Sequence, residues 1–257
     1  MDSKLNNLLK KMPRGAVATQ MWLETLGVYR QLTRRYVEQG WLERLGHGAF
    51  IRAEDPVDWL GGVYALQAQL ELPVHIGADT ALTLKGMGHY LPMGGKQVVH
   101  LFGTPGTKLP SCFRNHTWDV DVRLHCPDLY EGGCEFGFSD VRQGGFSVWA
   151  ASLEQAMLET IYLASDNASL IHAHQLMEGL TTLRPAVVQE LLEACRSVRV
   201  KRYFLWSAET AGHAWFQKLD VAPLNLGKGN RQMFKGGTYD GTYRITVPPI
   251  TERLPDV

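Results

Sequence analysis

The amino-acid sequence predicts an α+β protein, in which a small helical module carrying a β-hairpin precedes a mixed α/β domain. Two observations carry that prediction. Within residues 1–52, three short stretches of helical periodicity are followed by two strand-like runs joined by Gly46-His47-Gly48. Beyond Asp55-Pro56, strand and helix signatures recur together and the balance of charge reverses.

The N-terminal elements follow in order. Leu5, Leu8 and Leu9 stand at helical spacing between Lys4 and Lys11, and Pro13-Arg14-Gly15 stops that helix. Thr19 has the side chain to cap a helix over Gln20–Leu26, because its hydroxyl can accept from a free N–H of the first turn. Gly27 ends that helix, and a further one runs from about Tyr29 to Gln39, closed by Gly40. Trp41–Leu45 and Ala49–Arg52 read as two short strands, with Gly46 and Gly48 suited to the tight link between them. Three helices and a hairpin in so short a span make a winged helix-turn-helix.

Past residue 56 the signatures are of buried structure. Residues 57–70 predict a buried helix despite the pair Gly61-Gly62, and Thr80–Lys85 a shorter one ended by Gly86. Strands are expected at 97–103, 117–125 and 145–150. Ser152 caps an amphipathic helix reaching Ala164, and helices near 168–180, 184–195 and 198–216 follow. The last stretch is Gly-rich and then extended. The expected organisation is thus a winged helix-turn-helix DNA-binding domain over 1–55, a connecting helical segment over 56–95 and an α/β domain over 96–257.

Composition narrows the function classes. Lys+Arg and Asp+Glu both number 26, which excludes a wholly basic nucleic-acid coat but leaves room for a local basic face. Residues 1–52 hold nine basic and four acidic residues, a balance of +5, and residues 196–235 hold eight and two, a balance of +6. No apolar run approaches the ~18 residues that a membrane span needs, so no membrane partner is expected. Cys112, Cys126, Cys134 and Cys195 form no CxxC pair, which points to free thiols, a cytoplasmic location and no cysteine-based metal site.

The helix Tyr29–Gln39 carries the chemistry. Leu32, Tyr36 and Val37 form its apolar stripe, leaving Arg30, Gln31, Thr33, Arg34 and Gln39 outward and Arg35 lateral. Arginine pairs bidentately with guanine or phosphate, and glutamine with adenine. Arg30 and Gln31, beside Tyr29 at the helix start, are therefore candidates for base reading, and Thr33, Arg34 and Arg35 for phosphate contact. His47 at the hairpin tip, with Arg44 and Arg52 on its strands, is placed to touch an adjacent phosphate or the minor groove. The competing reading is a solvated helix face, and winged helices also serve as protein-binding modules. A possible second basic surface comprises Arg199, Lys201, Arg202, Lys228, Arg231 and Lys235.

Signs of catalysis are weaker. His172 and His174 are two apart, on different faces of a helix, and do not share a metal. Asp119 and Asp121 share a strand face without completing a Mg²⁺ site. Residues 225–237 are Gly-rich and basic but lack GxxxxGK[ST] spacing. No catalytic residue, metal or cofactor is assigned. The alternative is an enzyme acting on nucleic acid or nucleotides, targeted by the winged helix, with Asp119, Asp121, Asp128 and Glu135 as candidate acids.

The run from Pro13 through Arg52, then DPVDWLGGVYALQ and VHIGADTALTLKGMGHYL, resembles the N-terminal portion of the AbiEi antitoxin family of type IV toxin–antitoxin systems. The ordered phrases are Tyr36…Gly40-Trp41-Leu42, Gly48-Ala49-Phe50, and Gly77…Thr80-Ala81-Leu82…Gly86…His89-Tyr90, within a match over about residues 5–91. SLEQAMLETIYL resembles part of the family's C-terminal antitoxin domain. The resemblance implies a phage-defence regulator without enzymatic activity, whose winged helix binds inverted repeats in double-stranded DNA of its own promoter and represses the operon. It also implies a C-terminal domain that neutralises a nucleotidyltransferase-like toxin without a stable complex. The recognition residues carried over lie within Arg30–Arg35.

Overall fold

The computed structural model describes residues 3–88, 96–132 and 137–249, so His89-Tyr90, Cys134 and Glu135 lie outside the described residues. In chain order the first elements are α1 (Ser3–Lys11), β1 (Ala18–Thr19), α2 (Gln20–Thr25), α3 (Arg30–Glu38), β2 (Leu42–Gly46) and β3 (Ala49–Arg52). Next come α4 (Trp59–Tyr64), β4 (Val74–Ile76), α5 (Ala78–Leu84), β5 (Val98–Gly103), α6 (Ser111–Arg114), β6 (Asp121–His125), β7 (Phe138–Gln143) and β8 (Phe146–Ala151). The chain ends on α7 (Leu153–Leu163), α8 (Asn167–Gly179), α9 (Pro185–Ala194), α10 (Val198–Thr210), β9 (Thr238–Asp240) and β10 (Ile245–Val247). The mixed α+β composition is the one expected. The described residues of Met1–Ile76, Pro92–Pro127 and Asp140–Ala150 form one compact unit. Those of Gly77–Leu91, Asp128–Ser139 and Ala151–Val257 form another.

In the first unit the predicted helix boundaries fall where their capping chemistry puts them. Thr19 Oγ1 accepts from the Trp22 N–H at 3.2 Å. Gly27 and Gly40 adopt φ of 75° and 74°, a left-handed conformation that suits glycine and ends α2 and α3. β2 and β3 pair antiparallel with Leu42 opposite Arg52, and β1 joins the far side of β3 in the order β1-β3-β2. Leu5, Leu8, Met12, Leu23, Val28, Tyr36, Leu42 and Phe50 form the core beneath these elements.

Gly61 of α4 and Gln69 just beyond it fasten this module to the next segment, and Gly62 and Gln67 fasten that segment to the rest of the unit. A Cβ on Gly61 would lie 1.8 Å from the Gly15 carbonyl oxygen, and one on Gly62 only 2.6 Å from the Phe113 ring. The Gly pair is therefore a close-approach site rather than a flaw in the helix. After Tyr64 the helix widens into a π-helical turn, Ala65–Gln69, which turns Gln67 and Gln69 inward. Gln69 accepts from the Thr19 N–H at 2.8 Å and donates to the Val17 carbonyl at 2.7 Å, acting as a strand partner for β1. Gln67 donates to the carbonyls of Val74 and Trp149, both at 3.0 Å, and accepts from Trp149 N–H at 2.8 Å. It thereby closes the ladder between β4 and β8, which pair in parallel at Ile76 and Ala150. The sheet runs β6-β5-β4-β8-β7. The sequence pointed to β5, β6 and β8 but not to the short β4 or to β7.

In the second unit α7 is buried along nearly its whole length, and Ser152 caps it by accepting from Gln155 N–H. Its buried carboxylates are matched. Glu159 accepts from the Ala78 N–H at 3.0 Å, holding Ala78 at a φ of 50° that a non-glycine residue rarely adopts. Glu154 receives the Arg184 backbone N–H at 2.9 Å and the guanidinium at 3.0 and 2.9 Å. Burial would raise the Glu154 carboxyl above its ordinary 4.5, but the bonds from Arg184, Ser152 and its own backbone outweigh that and hold it at about 2. A depressed folded value contributes stability at pH above 4.5 that is lost as pH falls toward about 2. Wild type is accordingly expected to lose thermal stability between pH 5 and pH 3 by roughly 1–2 kcal/mol more than Glu154→Gln, once solvent screening at the exposed Arg184 is allowed for. Melting curves at the two pH values check this, and equal losses would remove the carboxylate from acid sensitivity.

Candidate nucleic-acid interface

α3 starts without a side-chain cap at Tyr29 and shows two distinct faces. Leu32, Tyr36 and Val37 face the core, as expected. Thr33 joins them instead of pointing outward, because positions 33, 36 and 37 share one helix face. Its hydroxyl is within 3.4 Å of the Val28 carbonyl and 3.3 Å of the Tyr29 carbonyl, which satisfies it inside. Thr33 is thus a structural residue of the first turn and is not available to phosphate.

Arg30, Gln31, Arg34 and Arg35 are all exposed, and so is Tyr29 at 64%. Arg34 Nε donates to Glu38 at 2.9 Å, and Arg30 stands 4.0 Å from Glu24. These are solvent-screened pairs worth about 0–1 kcal/mol, so either arginine can exchange its carboxylate for a phosphate at small cost. The side chains of Gln31 and Arg35 make no hydrogen bond or ion pair among the described residues. The outer face of α3 is a row of long donors on a rigid helix.

The hairpin places its three predicted residues differently. His47 is exposed at the tip, beside Gly48 with its φ of 68°. Arg44 is exposed with its guanidinium 5.6 Å from the centroid of its cross-strand neighbour Phe50. Arg52 instead turns back and donates to the Leu9 and Met12 carbonyls at 2.7 and 2.8 Å, satisfying the C-terminal end of α1. Lys10, Lys11 and Arg14 are exposed cations of the same unit that the sequence reading left out, although the charge balance already counted them.

The residues read as a second basic surface divide sharply. Lys228, Arg231 and Lys235 are exposed. Lys201 and Arg202 are buried, and Arg199 caps the C-terminus of α7 through the carbonyls of Ile161, Tyr162 and Ala164. Charge per segment does not register which side of α10 faces inward. Elsewhere, His174 hydrogen-bonds Ser207 at 2.6 Å, and burial pushes its pKa below the usual histidine range. Asp121 is paired with Arg123 at 3.0 Å. Among the described residues no three His, Cys, Asp or Glu side chains converge on a common point.

Comparison with known proteins adds to this geometry. Residues 1–93 match the family model of the transcriptional regulator AbiEi antitoxin N-terminal domain. Residues 96–248 match that of the transcriptional regulator AbiEi antitoxin of type IV toxin–antitoxin systems. The chain belongs to the AbiEi antitoxin family. It is thus a member of a family of transcriptional regulators and type IV antitoxins, as the resemblance implied. No curated protein matches this AbiEi chain. A solved structure of the RV2827C protein from Mycobacterium tuberculosis is similar with a TM-score of 0.55 at 13% identity, covering 95% of this chain and 89% of that one. At that identity the likeness speaks for the fold of the AbiEi chain alone.

Proposed function

We propose that this AbiEi protein is a DNA-binding autorepressor whose N-terminal winged helix-turn-helix, residues 1–55, docks α3 in the major groove with the β2–β3 hairpin as its wing. Residues 56–95 connect it to an antitoxin domain over 96–257 that neutralises a nucleotidyltransferase-like toxin. The site is double-stranded DNA of its own promoter, arranged as inverted repeats. One observation supports this reading above the rest: Arg30, Gln31, Arg34 and Arg35 stand exposed together on a helix whose other face is locked into the core. Arg30 and Gln31, in the first turn, are the base readers, and Arg34 and Arg35 grip phosphate, with Tyr29, Arg44 and His47 flanking them.

Neutralising phosphates releases condensed counterions, so affinity for the chain's upstream DNA must fall steeply as salt rises. A gel-shift titration over a salt series is expected to give a log–log slope of about −4 to −6, one unit for each phosphate held. Affinity that does not change with salt would rule the reading out.

A further inference from the structure

A cavity of about 310 Å³ opens in the first unit between α6, the loop that follows it and the start of β6. Lys96, Arg114, His116, Thr117, Trp118 and Asp121 are among its walls. Its walls carry two cations, Lys96 and Arg114, and one carboxylate. The Asp121 carboxylate is already taken by Arg123, through Nε at 3.1 Å and Nη2 at 3.0 Å. Lys96 is held in place by donating to the Trp118 carbonyl at 2.9 Å, which leaves further ammonium protons to donate. Arg114 is exposed, and its guanidinium has no hydrogen bond or ion pair among the described residues. An ammonium and a guanidinium fork across one cavity suit an oxyanion, and the fork suits a bidentate one. The half-buried His116, its ring 4.3 Å from that of Trp118, offers a planar group for the uncharged part of the same ligand. The volume is at the small end of ligand sites, the size of a mononucleotide.

The inner wall of this cavity is also the floor of the hairpin. Trp118 Nε1 donates to the Phe113 carbonyl at 2.9 Å, joining α6 and Trp118 into one body. Phe113 and Trp118 line a second, much smaller apolar cavity whose other walls include Leu45 and Ala49 of β2 and β3. Cys112 presses on Gly46, where an added Cβ would lie 3.2 Å from the Cys112 Cα. A shift of α6 on ligand binding is passed to β2 where Cys112 meets Gly46.

We propose that this cavity binds a small phosphate monoester of mononucleotide size, and that its occupancy changes the DNA affinity of the hairpin-bearing module. The second half rests on the DNA-binding reading above, and the first does not. Calorimetric titration of the full chain with AMP, GMP, CMP, UMP, inorganic phosphate and malonate tests the site without DNA present. Saturation by at least one monophosphate is expected, weakened about tenfold in Arg114→Glu and in Lys96→Ala with unchanged melting temperature. No saturation by any monophosphate up to about 5 mM, a weak affinity at best, would overturn the site. So would binding that both variants leave intact. Phosphate binding without monophosphate binding, or tighter binding of malonate, would overturn the ligand class. For the coupling, a gel shift with and without the bound monophosphate should give different DNA affinities. The DNA must then shift monophosphate affinity by the same factor. Equal affinities would overturn the coupling alone.

Discussion

Replacing Arg34 and Arg35 together by alanine is expected to weaken binding to the chain's upstream DNA by roughly a hundredfold at physiological salt. It should also reduce the slope of log affinity against log salt by about 2, the loss of two phosphate contacts. The fold should survive the change. Both side chains are exposed, and the Arg34–Glu38 pair, with side chains 80% and 60% exposed, contributes at most about 1 kcal/mol. Alanine also has the higher helix propensity, so the melting temperature should move by no more than a few degrees. Gel shifts on wild type and variant over one salt series, beside a melting curve, separate the outcomes. Lower affinity with an unchanged slope would mean that the arginines contact bases rather than phosphates. Unchanged affinity would remove α3 from the interface.

The parts of the fold written in the sequence are those in which local chemistry and tertiary structure agree. Thr19, Gly27, Gly40 and Ser152 mark helix ends because each acts through its own backbone or the turn beside it, and the caps form where expected. The apolar stripe of α3 shows for the same reason. β4, only Val74–Ile76, is too short to carry a period, and its strand character comes from β5, β8 and the Gln67 amide. Gln67 and Gln69 stand in a stretch that reads as a buried helix, and nothing local names their partners. Only the π-helical turn brings them inside, where their amides complete ladders between segments 50 or more residues apart in the chain. The candidate site divides along the same line. Arg30, Gln31, Arg34 and Arg35 follow from one helix face, and Thr33 is taken up by the Val28 and Tyr29 carbonyls of its own first turn, whereas Arg52 is taken up by carbonyls 40 or more residues away that only the folded module brings near.

Arg202 shows how far a count of basic residues can mislead, and its replacement is the second large effect. The side chain is 2% exposed. Its Nε donates to the Leu226 carbonyl at 2.7 Å, Nη1 to those of Gly229 and Arg244 at 2.8 and 3.2 Å, and Nη2 to that of Gly227 at 3.1 Å. No carboxylate pairs with it among the described residues, so carbonyl dipoles alone balance a buried charge. Burial first, and then the nearby Arg231 and Arg244, lower its pKa. What it achieves is the shape of the Gly-rich segment 226–231, which presents the exposed Lys228 and Arg231. Arg202→Met keeps the bulk and removes the donors, leaving the Leu226, Gly227 and Gly229 carbonyls to find water or stay unpaired, while the Arg244 carbonyl keeps the Arg231 N–H at 3.0 Å. The expected loss is about 3–5 kcal/mol, lowering the melting temperature by roughly 6–12 °C. Lys228→Ala, on the same segment but at its surface, should change stability by less than about 0.5 kcal/mol. Well below the melting temperature, Arg202→Met should also bind upstream DNA with the wild-type salt slope. A residue that held phosphate would give the opposite pair of results, with a slope reduced by about one and stability barely changed.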